Sequence, residues 1–196
     1  MPIKINEISK RYGDKEVFDR FSLELRDNAV NCILGPSGCG KSTLLNYIAC
    51  ISVPDSGTVD GIDGRSIAYA FQEPRLLPWK SVEANVEFVL SRTMSEQERA
   101  ERIRRYLEMV EMQSSAKALP AELSGGMAQR VSLARALAAE ADILLLDEPF
   151  SAIDATLKSS IILRLKRLWA SMGTTVIMVT HDQAEVAALD AEGQYI

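Results

Sequence analysis

The chain has 196 residues, 47% of them hydrophobic and 25% charged, with a formal net charge of −5. That is enough apolar material for the core of one α/β domain with a small subdomain, and the acidic balance argues against a broad nucleic-acid-binding face, so no nucleic-acid partner is expected. Met1–Lys10 lacks a secretory pattern and no apolar run reaches the ~18 residues that a bilayer demands, so membrane association is expected only through a partner. The cysteines Cys32, Cys39 and Cys50 show no metal-type spacing, which suits a reducing cytoplasm.

In chain order, Ile3–Ser9 and Val17–Leu25 alternate apolar with polar residues, the pattern of half-exposed antiparallel strands. Val30–Leu34 then reads as a short buried strand and Ser42–Ala49 as a helix. Between them Gly35-Pro36-Ser37-Gly38-Cys39-Gly40-Lys41-Ser42 fits G-x-x-x-x-G-K-[ST]. Glycines let the backbone N–H groups close around phosphates, and the helix places its positive end beneath them. Lys41 is expected to meet the β and γ phosphates and Ser42 to hold Mg²⁺, with Thr43 next in the binding set.

Ser56–Val59 and Ile67–Phe71 read as further strands, the second ending at Gln72. The period then becomes helical in Ser81–Ser91 and in Ser95–Met112. The latter carries a capping box, Ser95 with Glu98, and an apolar stripe of Ile103, Tyr106, Leu107 and Val110. Ser124-Gly125-Gly126 precedes a helical pattern over Met127–Ala139, and a serine cap with free N–H groups at a positive helix end makes a second anion site. Ile143–Leu146 is continuously apolar, as a central parallel strand is, and Asp147 and Glu148 stand at its carboxyl end. Side chains alternate along a strand, so the two acids take different tasks: Asp147 in the Mg²⁺ shell, usually through water, and Glu148 polarising the attacking water. A last strand, Thr175–Val179, leads to His181, the single histidine.

Leu123-Ser124-Gly125-Gly126-Met127-Ala128-Gln129-Arg130 resembles the signature motif of ATP-binding cassette (ABC) ATPases, although glutamine is commoner where Met127 stands. The resemblance covers Lys4 to about Leu189. It implies a P-loop NTPase (RecA-like) core of α/β class with an antiparallel β-subdomain (1–75 and 141–196) and an inserted helical subdomain carrying the signature helix (76–140). It also implies that Ser124, Gly125 and Gly126 bind the γ-phosphate of an ATP held by a second copy, so that a homodimer sandwiches two nucleotides. By the same resemblance Tyr12 stacks on adenine, Gln72 senses Mg²⁺ and the attacking water, Asp154 of Ser151-Ala152-Ile153-Asp154 belongs to a loop crossing the dimer interface, and His181 contacts the γ-phosphate.

Gln72-Glu73-Pro74-Arg75-Leu76-Leu77-Pro78-Trp79 looks like the corresponding loop of nitrate, sulfonate and taurine type importers. This implies an ATP-hydrolysing subunit, peripheral on the cytoplasmic side of the cell membrane, working with integral-membrane permease subunits and, through them, a solute-binding protein. Leu76, Leu77 and Trp79 are then candidates to touch the permease; the alternative is that Leu77 and Trp79 pack within the subdomain. Family members usually continue after His181 through a helix, two strands and another helix, whereas here Ala184–Leu189 is followed only by Asp190–Ile196. A shortened C-terminus is therefore expected, from a truncated chain or from a core lacking its last edge elements, with no appended regulatory domain. A hydrolysis-poor nucleotide-binding chain and a non-transport cassette ATPase are the alternative functions.

Overall fold

The computed structural model describes residues 1–196. Its centre is a five-stranded parallel sheet of β3 (Val30–Leu34), β5 (Ile67–Ala70), β6 (Ile143–Asp147), β7 (Thr175–Thr180) and β8 (Glu192–Tyr195), in the spatial order β5-β6-β7-β3-β8. Every residue of β6 and β7 is buried, which explains why their sequences are unbroken apolar runs: both faces of the sheet are covered. The strand period of two divides those side chains between two cores. Cys32, Leu34, Leu144, Leu146, Val176 and Met178 point into a larger core of 29 residues, and Ile33, Ile143, Leu145, Ile177 and Val179 into a smaller one of 14.

The smaller core is closed by α1 (Lys41–Ile48) and a three-stranded antiparallel sheet, β2-β1-β4, made of β1 (Ile3–Tyr12), β2 (Lys15–Leu25) and β4 (Ser56–Asp60). The larger core is closed by α2 (Val82–Glu87), α3 (Glu96–Met109), α4 (Gly125–Ala138), α5 (Ala155–Ser171) and α6 (Gln183–Ala188). The capping box opens α3 as expected: Glu98 N–H donates to Ser95 Oγ at 3.2 Å and Ser95 N–H to Glu98 Oε2 at 2.7 Å.

Three elements differ from the sequence reading. The first helix of the 76–140 segment ends at Glu87, and Phe88 and Val89 beyond it are exposed. The longest helix, α5, has no counterpart in that reading, though its signals are in the chain. Asp154 caps it, accepting from Leu157 N–H at 3.0 Å, and Ile161, Leu165, Leu168 and Trp169 form its buried stripe. The segment after Leu189, to which the sequence reading gave no element, forms β8, which pairs in parallel with β3 from Asn31↔Glu192 to Leu34↔Tyr195. Glu-Gly-Gln-Tyr has no apolar alternation because this edge strand is specified by main-chain pairing and close approach. A Cβ on Gly193 would stand 2.7 Å from Leu34 Cδ1.

Candidate active site

Adjacent parallel strands end at one level, and the ends carry the chemistry. Ala70 pairs with Leu146, Asp147 with Val179, and Leu34 with Thr180. Gln72 after β5, Asp147 and Glu148 at the end of β6, His181 after β7 and the loop after β3 therefore share the carboxyl edge of the sheet, where α/β folds bind ligands. A cleft of about 310 Å³ lies there, lined by Tyr12, Ser37, Gly38, Gly40, Lys41, Ser42, Thr43, Gln72 and Glu148, together with Lys15 and Val17.

Gly35, Pro36, Ser37, Gly38, Cys39 and Gly40 form the turn into α1, whose Leu44 N–H donates to Gly40 O at 2.9 Å. Gly40 has φ +109°, and a Cβ there would meet Val17 Cγ1 at 2.6 Å and Phe18 Cζ at 2.7 Å, so only glycine fits between the loop and β2. Lys41, 6% exposed, donates through Nζ to Gly35 O at 2.7 Å and Pro36 O at 2.9 Å, which holds its ammonium over the loop. Ser42 is exposed at the cleft and lines a second, adjoining pocket together with Asp147.

Asp147 is buried, and burial pushes its carboxyl above the ordinary value while the neighbouring Ser42 hydroxyl opposes that rise. Tyr69 Oη donates to Asp147 Oδ2 at 3.5 Å. Glu148 leaves β6 in the left-handed region at φ 46°, its N–H bonded to Val179 O at 3.0 Å. Gln72 Nε2 donates to Glu148 Oε2 at 3.5 Å, and His181 Nδ1 lies 3.5 Å from Glu148 Oε1. Gln72 and His181 thus converge on Glu148, which lines both this cleft and the adjoining cavity that holds His181.

Other expected site residues lie apart. Ser124 caps α4, accepting from Met127 N–H at 3.3 Å, and Ser124, Gly125 and Gly126 do not line the cleft of their own chain. Neither does Asp154, which caps α5. The signature turn instead touches the 151–154 loop: a Cβ on Gly126 would come within 2.4 Å of Ala152 O. Tyr12 is at the cleft and 54% exposed, as a stacking platform must be. Trp79 is 73% exposed, against the alternative that it packs within its subdomain, whereas Leu77 is half-buried with its N–H bonded to Asn85 Oδ1 at 2.8 Å.

Sequence reasoning missed Lys15, whose Nζ donates to Gly38 O at 3.0 Å from the far end of the β1–β2 hairpin. The tight Gly13-Asp14 turn is the signal that could have placed it beside Tyr12. The oxygen donors fit a small hard cation: one buried carboxylate, a hydroxyl and an amide carbonyl, leaving coordination for phosphate oxygens. No cluster of three or more His, Cys, Asp or Glu competes as a self-sufficient metal site.

The chain is 42% identical over 197 residues to the aliphatic sulfonates import ATP-binding protein SsuB 2 of Xanthomonas axonopodis pv. citri, covering 96% of this chain and 65% of that protein. It is 39% identical over 202 residues to the sulfate/thiosulfate import ATP-binding protein CysA of Mesostigma viride, covering 98% of this chain and 58% of that one. It therefore spans less than two thirds of the length of these relatives. A solved dimeric structure of a bacterial ABC transporter cassette superposes with a TM-score of 0.89 at 33% identity, covering 99% of this chain and 94% of that one. A second structure of that cassette, in a post-hydrolysis state with ADP and Pi, superposes with a TM-score of 0.88. The family model described as ABC transporter matches residues 18–151, more than half of the chain, and the chain belongs to that family.

Proposed function

We propose that this chain binds and hydrolyses ATP as the nucleotide-binding subunit of an importer for a small solute, acting as a homodimer on the cytoplasmic face of a membrane permease. The observation that carries the reading is the convergence of Gln72 and His181 on Glu148, which lines the cleft together with Lys41 and Ser42. In this reading Tyr12 stacks on adenine, and the N–H groups of Gly35–Thr43 wrap the phosphates. Lys41 turns its ammonium from the loop carbonyls to the β and γ oxygens. Ser42, Asp147 and Gln72 would hold Mg²⁺, which neutralises charge developing on the phosphates. Glu148 accepts the proton of the attacking water, and Gln72 and His181 fix the orientation of that carboxylate and of the γ-phosphate.

Ser124, Gly125 and Gly126 of the second copy complete the site, with Asp154 in the loop that crosses between copies; the placement of this turn away from its own cleft supports that arrangement. The segment 76–140 acts as a unit that moves against the core (1–75 and 141–196), and exposed Trp79 offers an anchor for a permease helix. A sulfur oxyanion or an organic sulfonate is the solute class that the relatives' names favour. Turnover by the purified chain tests the enzymatic reading. Glu148→Gln is expected to lower kcat by about 100-fold or more while ATP still drives dimerisation in light scattering. Parent-like turnover in that variant would remove Glu148 from the mechanism.

A further inference from the structure

Resting on the catalytic reading just given, we propose that Lys158 is a positioning residue that locks the loop Ser151–Asp154 to the backbone on both sides of His181, so that one hydrogen-bonded ring sets the histidine against Glu148. Lys158 occupies the first turn of α5, directly after that loop, and its own N–H donates to Asp154 O at 2.9 Å. Its ammonium donates to Asp182 Oδ2 at 2.7 Å and to Glu185 Oε1 at 3.0 Å.

Glu185 is only 4% exposed, and a carboxylate in that position persists only when its oxygens are paired. Its second oxygen accepts from Thr180 Oγ1 at 2.7 Å, and Thr180 Oγ1 in turn accepts from Asp182 N–H at 3.0 Å. The two neighbours of His181 in the chain are therefore both members of the ring. Across the cavity from this ring, Ser151 ties the start of the loop to the end of β6, donating to Glu148 O from N–H at 3.3 Å and from Oγ at 3.1 Å. The ring encloses a cavity of about 110 Å³ between β6, β7, α5 and α6, with His181 and Glu148 on its wall.

The histidine itself explains why this matters. Its side chain is 62% exposed, and its one polar contact is Glu148 Oε1 at 3.5 Å. Nothing packed around the imidazole fixes its direction, so orientation must come from the backbone at Thr180 and Asp182. Lys158 is the only cation in the ring, and it joins that backbone to the loop whose Asp154 is assigned to the interface between copies. Movement of the loop on dimerisation is thereby transmitted to His181 by hydrogen bonds rather than through the bulk of the core.

Two variants of the full chain spare the fold. Asp182→Asn keeps the α6 cap, because asparagine caps as well as aspartate, and leaves the buried Lys158–Glu185 pair intact. Lys158→Gln with Glu185→Gln removes the clamp without stranding a buried charge. Each would be compared with the parent for ATP turnover, for the Kd of a fluorescent ATP analogue and for melting temperature, and each would be repeated in a His181→Ala background by single-turnover assay with radiolabelled ATP. Both are expected to lower kcat by about tenfold with unchanged Kd, from misplacement of a catalytic group. Neither is expected to lower the residual rate of His181→Ala further. Parent-like kcat in either variant, or a loss that adds in full to that of His181→Ala, would overturn the proposal. Failure of the catalytic reading itself has a separate signature: His181→Ala and Glu148→Gln would then turn over like the parent.

Discussion

Glu148 carries the clearest conflict between stability and chemistry in a single residue. An L-residue without a short polar side chain sits at φ 46°, immediately after the fully buried strand β6, and its carboxylate adds to the forces raising the pKa of Asp147. A left-handed residue costs about 1–2 kcal/mol, against the roughly 0.5–1 kcal/mol that glycine loses in unfolded-chain entropy. Glu148→Gly is therefore expected to raise Tm by about 2 °C while abolishing turnover, because each kcal/mol moves a domain of this size by about 2–4 °C. Calorimetry on the nucleotide-free chain decides it, and an unchanged or lower Tm would mean that the turn stores no strain. The residue's identity was legible from an apolar strand ending in two acids. Its backbone geometry was not, since nothing in Leu-Asp-Glu-Pro signals a positive φ.

At the scale of elements, the glutamine loop is held from two directions. Below it, Tyr69 and Phe71 stack with centroids 3.9 Å apart at 18°, and the Arg75 guanidinium lies 4.0 Å from the Phe71 centroid. Across from it, Arg135 of the signature helix donates to Pro74 O at 2.9 Å and Arg75 O at 3.0 Å. Arg135 thus links the helix bearing Ser124 to the loop bearing Gln72, and no periodicity in α4 distinguishes it from a solvated arginine. Arg135→Ala leaves two loop carbonyls without their charged donor, a loss of about 1.5–3 kcal/mol. Thermal denaturation should then show Tm lower by about 3–12 °C, with turnover reduced more than nucleotide affinity. A variant with parent Tm would place the loop under the control of the aromatic stack alone. Elements with strong local signals, such as the capped α3 and the apolar β6 and β7, were readable from the chain. β8 was not, because an edge strand of Glu-Gly-Gln-Tyr is specified by β3 beside it rather than by its own pattern.

At the scale of the whole molecule, the phosphate loop and the signature turn are both well formed, and one chain does not bring them together. Two copies in head-to-tail apposition would give each cleft the other's Ser124, and this makes a test by complementation possible. Lys41→Ala removes the phosphate-binding cation but leaves the signature, and Ser124→Arg blocks the signature but leaves the loop. Each variant alone is expected to hydrolyse ATP at background rate. In an equimolar mixture half of the dimers are mixed, and each mixed dimer holds one intact composite site, so activity should rise toward about a quarter of the parent's. If the active species is the proposed dimer, the rise depends on total protein concentration. A mixture no more active than its components would show that a site needs its twin or that the apposition is wrong, and activity in Ser124→Arg alone would assign the cleft's chemistry to a single chain.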